Sequence, residues 1–228
     1  MPPPESSARR AVSVVIPVRN YRPYLGECLD SVFAQTLVPT EVIVVDDHSE
    51  DGSLAFAQGY SPAVRAVPAE GSGASSARNT GIRMTRSDLI AFLDADDRWL
   101  PHALECMVAG LDEHPEAGFI SGSTREFISP ELSAEERQRF TPRSDVMPGV
   151  LISAALFRRP VFDHIGFFDE TLAQAEVIDL LARCQDGGVG ERRLDSVIAE
   201  RRLHPGQLAK SRADILKVVR ATMARRRQ

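Results

Sequence analysis

With 228 residues the chain has room for one well-buried core and hardly for two domains. Apolar residues make up 43% and charged residues 26%, ordinary values that exclude a wholly disordered or low-complexity chain. A net charge of -5 removes any general case for nucleic acid as a partner, and no apolar run nears the roughly 20 residues that span a bilayer.

The first stretch, 1–10, is Pro-rich and polar. It reads as a disordered tail and lacks the apolar segment of a signal peptide. Val12–Val18 (VSVVIPV) reads as a strand, with Pro17 near its end where the chain leaves the sheet. From Tyr24 to Gln35, apolar residues at Leu25, Cys28, Leu29, Val32 and Phe33 form a helical stripe. Val42–Val45 is a second buried strand and runs into Asp46-Asp47-His48-Ser49. A short helix over Ser53–Tyr60, a strand over Val64–Val67 and a helix over Ser75–Thr85 follow, the last after the Gly71-Ser72-Gly73 turn. Leu89–Leu93 is a short apolar strand, and Pro101 suits the first turn of a helix reaching about Glu113.

Strands alternating with helices imply a parallel, doubly wound sheet, whose ligands sit beyond the carboxyl ends of strands. Asn20, Asp46-Asp47 and Asp94-Ala95-Asp96-Asp97 all fall at such ends. Three carboxylates in four positions at a strand's end repel one another and resist desolvation. A divalent cation removes that cost, and hard oxygen ligands on a strand-to-loop turn suit Mg2+ or Mn2+. An isolated acidic turn of this kind would read as a solvated loop; its placement argues otherwise.

Beyond Ile120 the rhythm weakens. Ser121–Pro148 reads as a polar lid, an acceptor loop or a surface insertion, with a charged helix-like piece at Glu131–Phe140. Order returns over Val150–Phe157, then a short helix around Val161, a helix over Glu176–Cys184 and a strand-like Ser196–Glu200. Residues 208–228 read as a C-terminal amphipathic basic helix, Ile215–Met223 followed by Arg225-Arg226-Arg227. It is expected to be a solvated helix end, with peripheral contact to an anionic membrane as the alternative. Cys28, Cys106 and Cys184 lie far apart, without metal-ligand spacing or a disulfide framework. A reducing, cytoplasmic setting is therefore expected.

Six segments in order carry a resemblance that covers Ser13 to about Gln207. They are V-S-V-V-I-P-V-R-N-Y with L-x-x-C-L-D-S-V-F-A-Q-T, E-V-I-V-V-D-D-H-S-E-D-G-S, G-S-G-A-S-S-A-R-N-T-G-I, D-A-D-D with Trp99-Leu100-Pro101, F-R-R-P-V-F-D-H-I-G-F-F-D-E, and R-R-L-H-P-G-Q. Together they resemble glycosyltransferase family 2, whose members have a GT-A fold. The resemblance implies an α/β, Rossmann-like, mostly parallel sheet flanked by helices, with a smaller acceptor-side region. One domain is expected over 11–207, with a nucleotide-sugar-binding half at 11–120 and an acceptor-side half at 121–207.

It further implies metal-dependent, inverting transfer from a nucleotide diphosphate sugar, a UDP-sugar by preference, to an acceptor that is a glycan, lipid, peptide or small molecule. Asp96 is then the first metal ligand, Asp94 contacts ribose or metal, Asp97 stands behind them, and His204 completes the metal shell or contacts phosphate. Asp46 and Asp47 recognise base and ribose, or cap the next helix. Pro17 and Asn20 line the same cleft, and Arg78 reaches the diphosphate or orients the acidic cluster. His48 is a turn residue, Arg201-Arg202 either steers the diphosphate or is solvated, and sugar choice lies near Trp99 and in 121–148.

One departure bears on activity. The family's usual Glu-Asp pair beyond F-F-D-E is here Glu176-Val177, so the aspartate that would take the acceptor's proton is absent. Glu176 is the substitute base, with Asp179 next at i, i+3. The alternative is a catalytically degenerate module that still holds a nucleotide or a partner. A nucleotidyltransferase would need a Gly-rich basic loop after the first strand, and a dinucleotide oxidoreductase a G-x-G-x-x-G; the chain has neither.

Overall fold

The computed structural model describes residues 10–142, 146, 151–172 and 175–206. The expected tail (except Arg10), the basic C-terminal helix and part of the 121–148 segment lie outside them. Four parallel strands, β1 (Val12–Val18), β2 (Glu41–Asp46), β3 (Val64–Pro68) and β4 (Leu89–Phe92), stand in the order β3-β2-β1-β4. They are linked by α1 (Arg22–Phe33), α2 (Ser53–Tyr60) and α3 (Ala74–Met84). A two-residue strand, β5 (Arg98–Trp99), precedes α4 (Ala103–Glu113). Then come β6 (Ala117–Ile128), α5 (Ala134–Arg137), β7 (Ala155–Arg158), α6 (Pro160–Ile165), α7 (Glu176–Asp186) and β8 (Gly190–Leu203). The sheet continues from β4 as β7-β6-β8-β5; β7 is antiparallel to both neighbours and β8 parallel to β6. Among the described residues no helix is long and apolar enough to cross a membrane.

β1, β2 and β4 are apolar on both sides because helices cover both faces. Val12, Val14 and Ile16 of β1 point into the cluster that includes Leu25 and Leu29 of α1 and Leu104 and Met107 of α4. Val15, one step out of phase, joins Ile82 of α3, Phe162 of α6 and Leu180 of α7 on the opposite face. On that face Phe92 meets Phe157, Phe162 and Phe168 edge to face, with centroids 5.6–6.1 Å apart. Gly81 lets α3 lie against β1: a Cβ there would come within 2.3 Å of Val15 Cγ1.

Two expectations need correction. Ser121–Ile128, read as lid or insertion, continues strand β6, and β8 reaches back to Gly190 instead of starting at Ser196. Both strands lack apolar alternation. β6 carries Ser121, Gly122, Ser123 and Thr124 where β8 presses closest; a Cβ on Gly122 would lie 2.1 Å from Ile198 Cγ1. The exposed start of β8 is charged, with Arg192 on Glu116 at 3.0 Å and Glu191 accepting from the Ser121 hydroxyl at 2.5 Å.

Candidate active site

After β1 the chain builds the sheet outward through β2 and β3, then returns to place β4 on the other side of β1. That reversal opens a crevice at the carboxyl ends of β1 and β4, and the turn after β4 holds Asp94 to Asp97.

The three carboxylates of this turn have different environments. Asp94 is about one-third exposed, and its backbone N–H donates to Ser153 Oγ at 3.1 Å. The Ser153 hydroxyl donates in turn to Asp97 Oδ2 at 3.1 Å, while Asp97 Oδ1 accepts from the Arg202 N–H at 3.0 Å. Burial, then the charges of Asp96 and Asp94, push the Asp97 carboxyl well above the usual range. Asp97 thus braces the turn from within. Asp96 lies between these extremes, with Oδ2 3.1 Å from His204 Nε2.

His204 is buried, its ring packed by Tyr24 and Tyr21 at centroid distances of 4.4 and 5.5 Å, and its Nδ1 has no partner among the described residues. Two residues back, Arg202 is buried, so the solvated reading of Arg201-Arg202 does not hold for it. It is 1% exposed, donates from Nε to the Asp96 carbonyl at 2.8 Å, pairs with Glu27, and stacks on Tyr24 and Phe127. Arg201 pairs with Glu126 at 3.2 Å. Trp99 is also core, 3% exposed, with its indole N–H on the Ser153 carbonyl at 2.6 Å.

Across the crevice, α3 and α7 bring Arg78 and Glu176 together, 98 residues apart in sequence. Arg78 Nη1 donates to Glu176 Oε1 at 3.0 Å, and Nη2 donates to Asp94 Oδ1 at 2.7 Å. Burial works against the guanidinium charge, but Asp94 and Glu176 more than offset it, and its pKa lies above the ordinary value. Asp179, one turn along α7, is given over to Arg183 at 2.8 Å, and Arg183 holds the carbonyls of Ile165 and Phe167. Val177 is half-buried and packs on the Phe92 cluster. Asn79 Nδ2 donates to the Phe168 carbonyl and Oδ1 accepts from the Phe168 N–H, both at 2.9 Å, which fixes the F-F-D-E segment against α3.

At the end of β2 the two aspartates also divide. Asp47 Oδ1 accepts from the Gly73 N–H at 2.9 Å and Oδ2 from Arg19 at 3.2 Å, tying β2 to the start of α3. Asp46 Oδ2 accepts from the Ser49 N–H at 2.9 Å, whereas Oδ1 is buried with no partner among the described residues. Asn20 adopts φ 55 and His48 φ 57, so both are turn residues. Asn20 Oδ1 accepts from the Glu50 N–H at 2.8 Å and locks the two loops together. Pro17 is buried in β1 opposite Val45, past the last residue paired with β4, where its missing N–H leaves no gap in that ladder.

Arg78 thus joins Asp94 to Glu176, and Asp96, two residues along the same turn, is held by His204. Ser153, which braces the acidic turn, is not singled out by the sequence, and the buried bracing role of Arg202 is not legible there either; a serine after a polar stretch and an arginine in a basic pair carry no signal of burial. Among the described residues no three His, Cys, Asp or Glu side chains converge as a preformed cage. The donor set still fits Mg2+ or Mn2+, which commonly take one or two protein carboxylates and leave other positions to water and phosphate.

Residues 13–166 match the sequence model of Glycosyl transferase family 2. The glycosyltransferase EpsJ of Bacillus subtilis is 31% identical over 186 residues, covering 72% of this chain and 53% of that protein. YibD of Escherichia coli is 36% identical over 100 residues, 42% of this chain and 29% of the relative. Two crystal structures of S. aureus TarS 1–349 share the fold at 21% identity and cover 93% of this chain. The UDP-GlcNAc complex gives a TM-score of 0.72 over 65% of TarS 1–349, and the UDP complex 0.70 over 64%. The architecture is that of GT-A glycosyltransferases. The chain spans about half the length of EpsJ.

Proposed function

This chain belongs to glycosyltransferase family 2, and on that premise we propose that it transfers a sugar from a nucleoside diphosphate sugar, a UDP-sugar, to an acceptor with inversion. The observation that carries the reading is the Asp94–Arg78–Glu176 chain, which sets a buried carboxylate across the cleft from the acidic turn. In a direct displacement Glu176 takes the acceptor's proton as its oxygen attacks the anomeric carbon, and Arg78 fixes where that carboxylate stands. Asp46 Oδ1, buried with no partner among the described residues, is suited to a base or ribose donor, and TarS has been crystallised with UDP and UDP-GlcNAc. Mg2+ or Mn2+ held by Asp96, with Asp94 and His204 beside it, would neutralise the charge that grows on the leaving diphosphate. Asp179, committed to Arg183, orients the helix and its preceding turn.

The half-buried Val177 supports a second reading, a nucleotide-binding module that no longer transfers. Release of UDP from a panel of UDP-sugars, with water as acceptor and Mn2+ present, separates the two. Turnover that falls about 10²-fold or more in Glu176→Gln and little in Asp179→Asn supports the transferase. Binding of UDP without turnover of any donor supports the module.

A further inference from the structure

We infer that Arg78 is a positioning residue that works as a strut between the two sides of the cleft, so that the donor side is held in place partly by Glu176. The inference rests on the proposed roles of Glu176 and Asp94.

Arg78 is 4% exposed, so its guanidinium cannot exchange partners with water. Its two terminal nitrogens go to carboxylates from two different elements, Glu176 at the start of α7 and Asp94 after β4. The third nitrogen, Nε, has no partner among the described residues, and the group's only ring neighbour described is Phe168, 5.6 Å from its centroid. Nothing else described holds the end of this side chain. A guanidinium is a rigid plane, so if one arm is released the plane turns and the other arm moves with it.

The two ends differ in freedom. Glu176 is almost fully buried, while Asp94 is about one-third exposed on a turn. The carboxylate that moves when the strut fails is therefore Asp94. Freed from Glu176, Arg78 has one carboxylate left to balance a buried charge, and both terminal nitrogens turn to it. Asp94 is thereby withdrawn from the nucleotide. A change on the acceptor side would then weaken binding on the donor side, although Glu176 touches no donor group in the proposed mechanism.

The conservative and truncating variants of Glu176 separate this from simple charge repulsion. Glutamine keeps an oxygen for Arg78 Nη1, whereas alanine leaves none. Dissociation constants for UDP at saturating Mn2+ would be measured by calorimetry, with UDP-sugar turnover and melting temperature recorded for each variant. The strut predicts that Glu176→Ala weakens UDP at least fivefold and Glu176→Gln changes it less than twofold, while both lose turnover. In an Arg78→Lys background, where one ammonium cannot span both carboxylates, Ala and Gln should bind UDP alike. Should Glu176→Ala fail to fold, Glu176→Asp, whose shorter stem loses the reach to Nη1, must weaken UDP in the same direction. Equal UDP affinity for Ala and Gln in the native background overturns the strut, and so does an Ala–Gln difference that persists with Lys at position 78. Turnover retained by Glu176→Gln, with the Ala–Gln affinity difference intact, would instead overturn the base assignment and leave the strut standing. A native chain that fails to bind UDP overturns both.

Discussion

Replacing Ser153 by alanine removes one oxygen atom and should damage the acidic turn from below. The hydroxyl is 1% exposed and serves two groups, accepting from the Asp94 N–H and donating to Asp97 Oδ2, each at 3.1 Å. Its loss leaves a donor and an acceptor without their partner, each worth about 1–3 kcal/mol when buried. The Asp94 amide is partly buried and can recover some of this from water, so the expected cost is about 2–4 kcal/mol. For a chain of this size each kcal/mol lowers Tm by about 2–4 °C, giving a drop of roughly 5–15 °C in scanning calorimetry. Ser153→Thr, which keeps the oxygen, should recover most of that loss. The indole of Trp99 bonds the backbone carbonyl of residue 153 and is unaffected, so the measured cost belongs to the hydroxyl. A Ser153→Ala protein that melts within 1 °C of the native chain would refute the claim that this serine carries the turn.

Two further predictions concern a carboxylate on β2 and the three cysteines. Burial opposes the charge on Glu41, but the Ser13 hydroxyl, the Arg86 N–H and the Ser87 hydroxyl outweigh it and lower its pKa. A carboxylate with a depressed folded pKa stabilises above its unfolded value, and that contribution is lost as pH falls through the folded value. Glu41→Gln should therefore cost stability above the ordinary glutamate range, with the difference shrinking as pH falls below it; denaturant melts that show a pH-independent cost would contradict this. Burial pushes the Cys184 thiol up to about 11 and raises that of fully buried Cys28 as well, while Cys106 is half-buried. Iodoacetamide at pH 8, followed by mass spectrometry, should label Cys106 first and the other two only on unfolding.

The first half of the fold was legible because its strands are short apolar runs and its helices carry clean stripes. Ser53–Tyr60 and Val12–Val18 match the expected bounds, and the others differ by one or two residues at their ends. The second half was obscured where β6 and β8 meet, since small and charged residues at that contact hide the period of a strand. In the cleft, the position of Asp94 to Asp97 after a buried strand was readable from charge alone. The division of labour among them was not, because it depends on Ser153, Arg202 and His204, which arrive from 56 to 108 residues away. The Arg78–Glu176 pair joins α3 to α7 and leaves no trace in local spacing. Asp46 and Asp47 are adjacent in sequence and opposite in environment, one with a buried oxygen that has no partner among the described residues and one fully engaged.

A metal-assisted nucleotide-sugar site built on the turn after β4 is best tested by thermal stabilisation with UDP, with and without Mn2+, on the native chain and on Asp96→Ala. At about 100 times its dissociation constant UDP should add roughly 2.7 kcal/mol of stability, a rise of about 5–10 °C in Tm. This rise should require Mn2+ and disappear in Asp96→Ala. An equal rise without metal, or one that survives in Asp96→Ala, would contradict such a site.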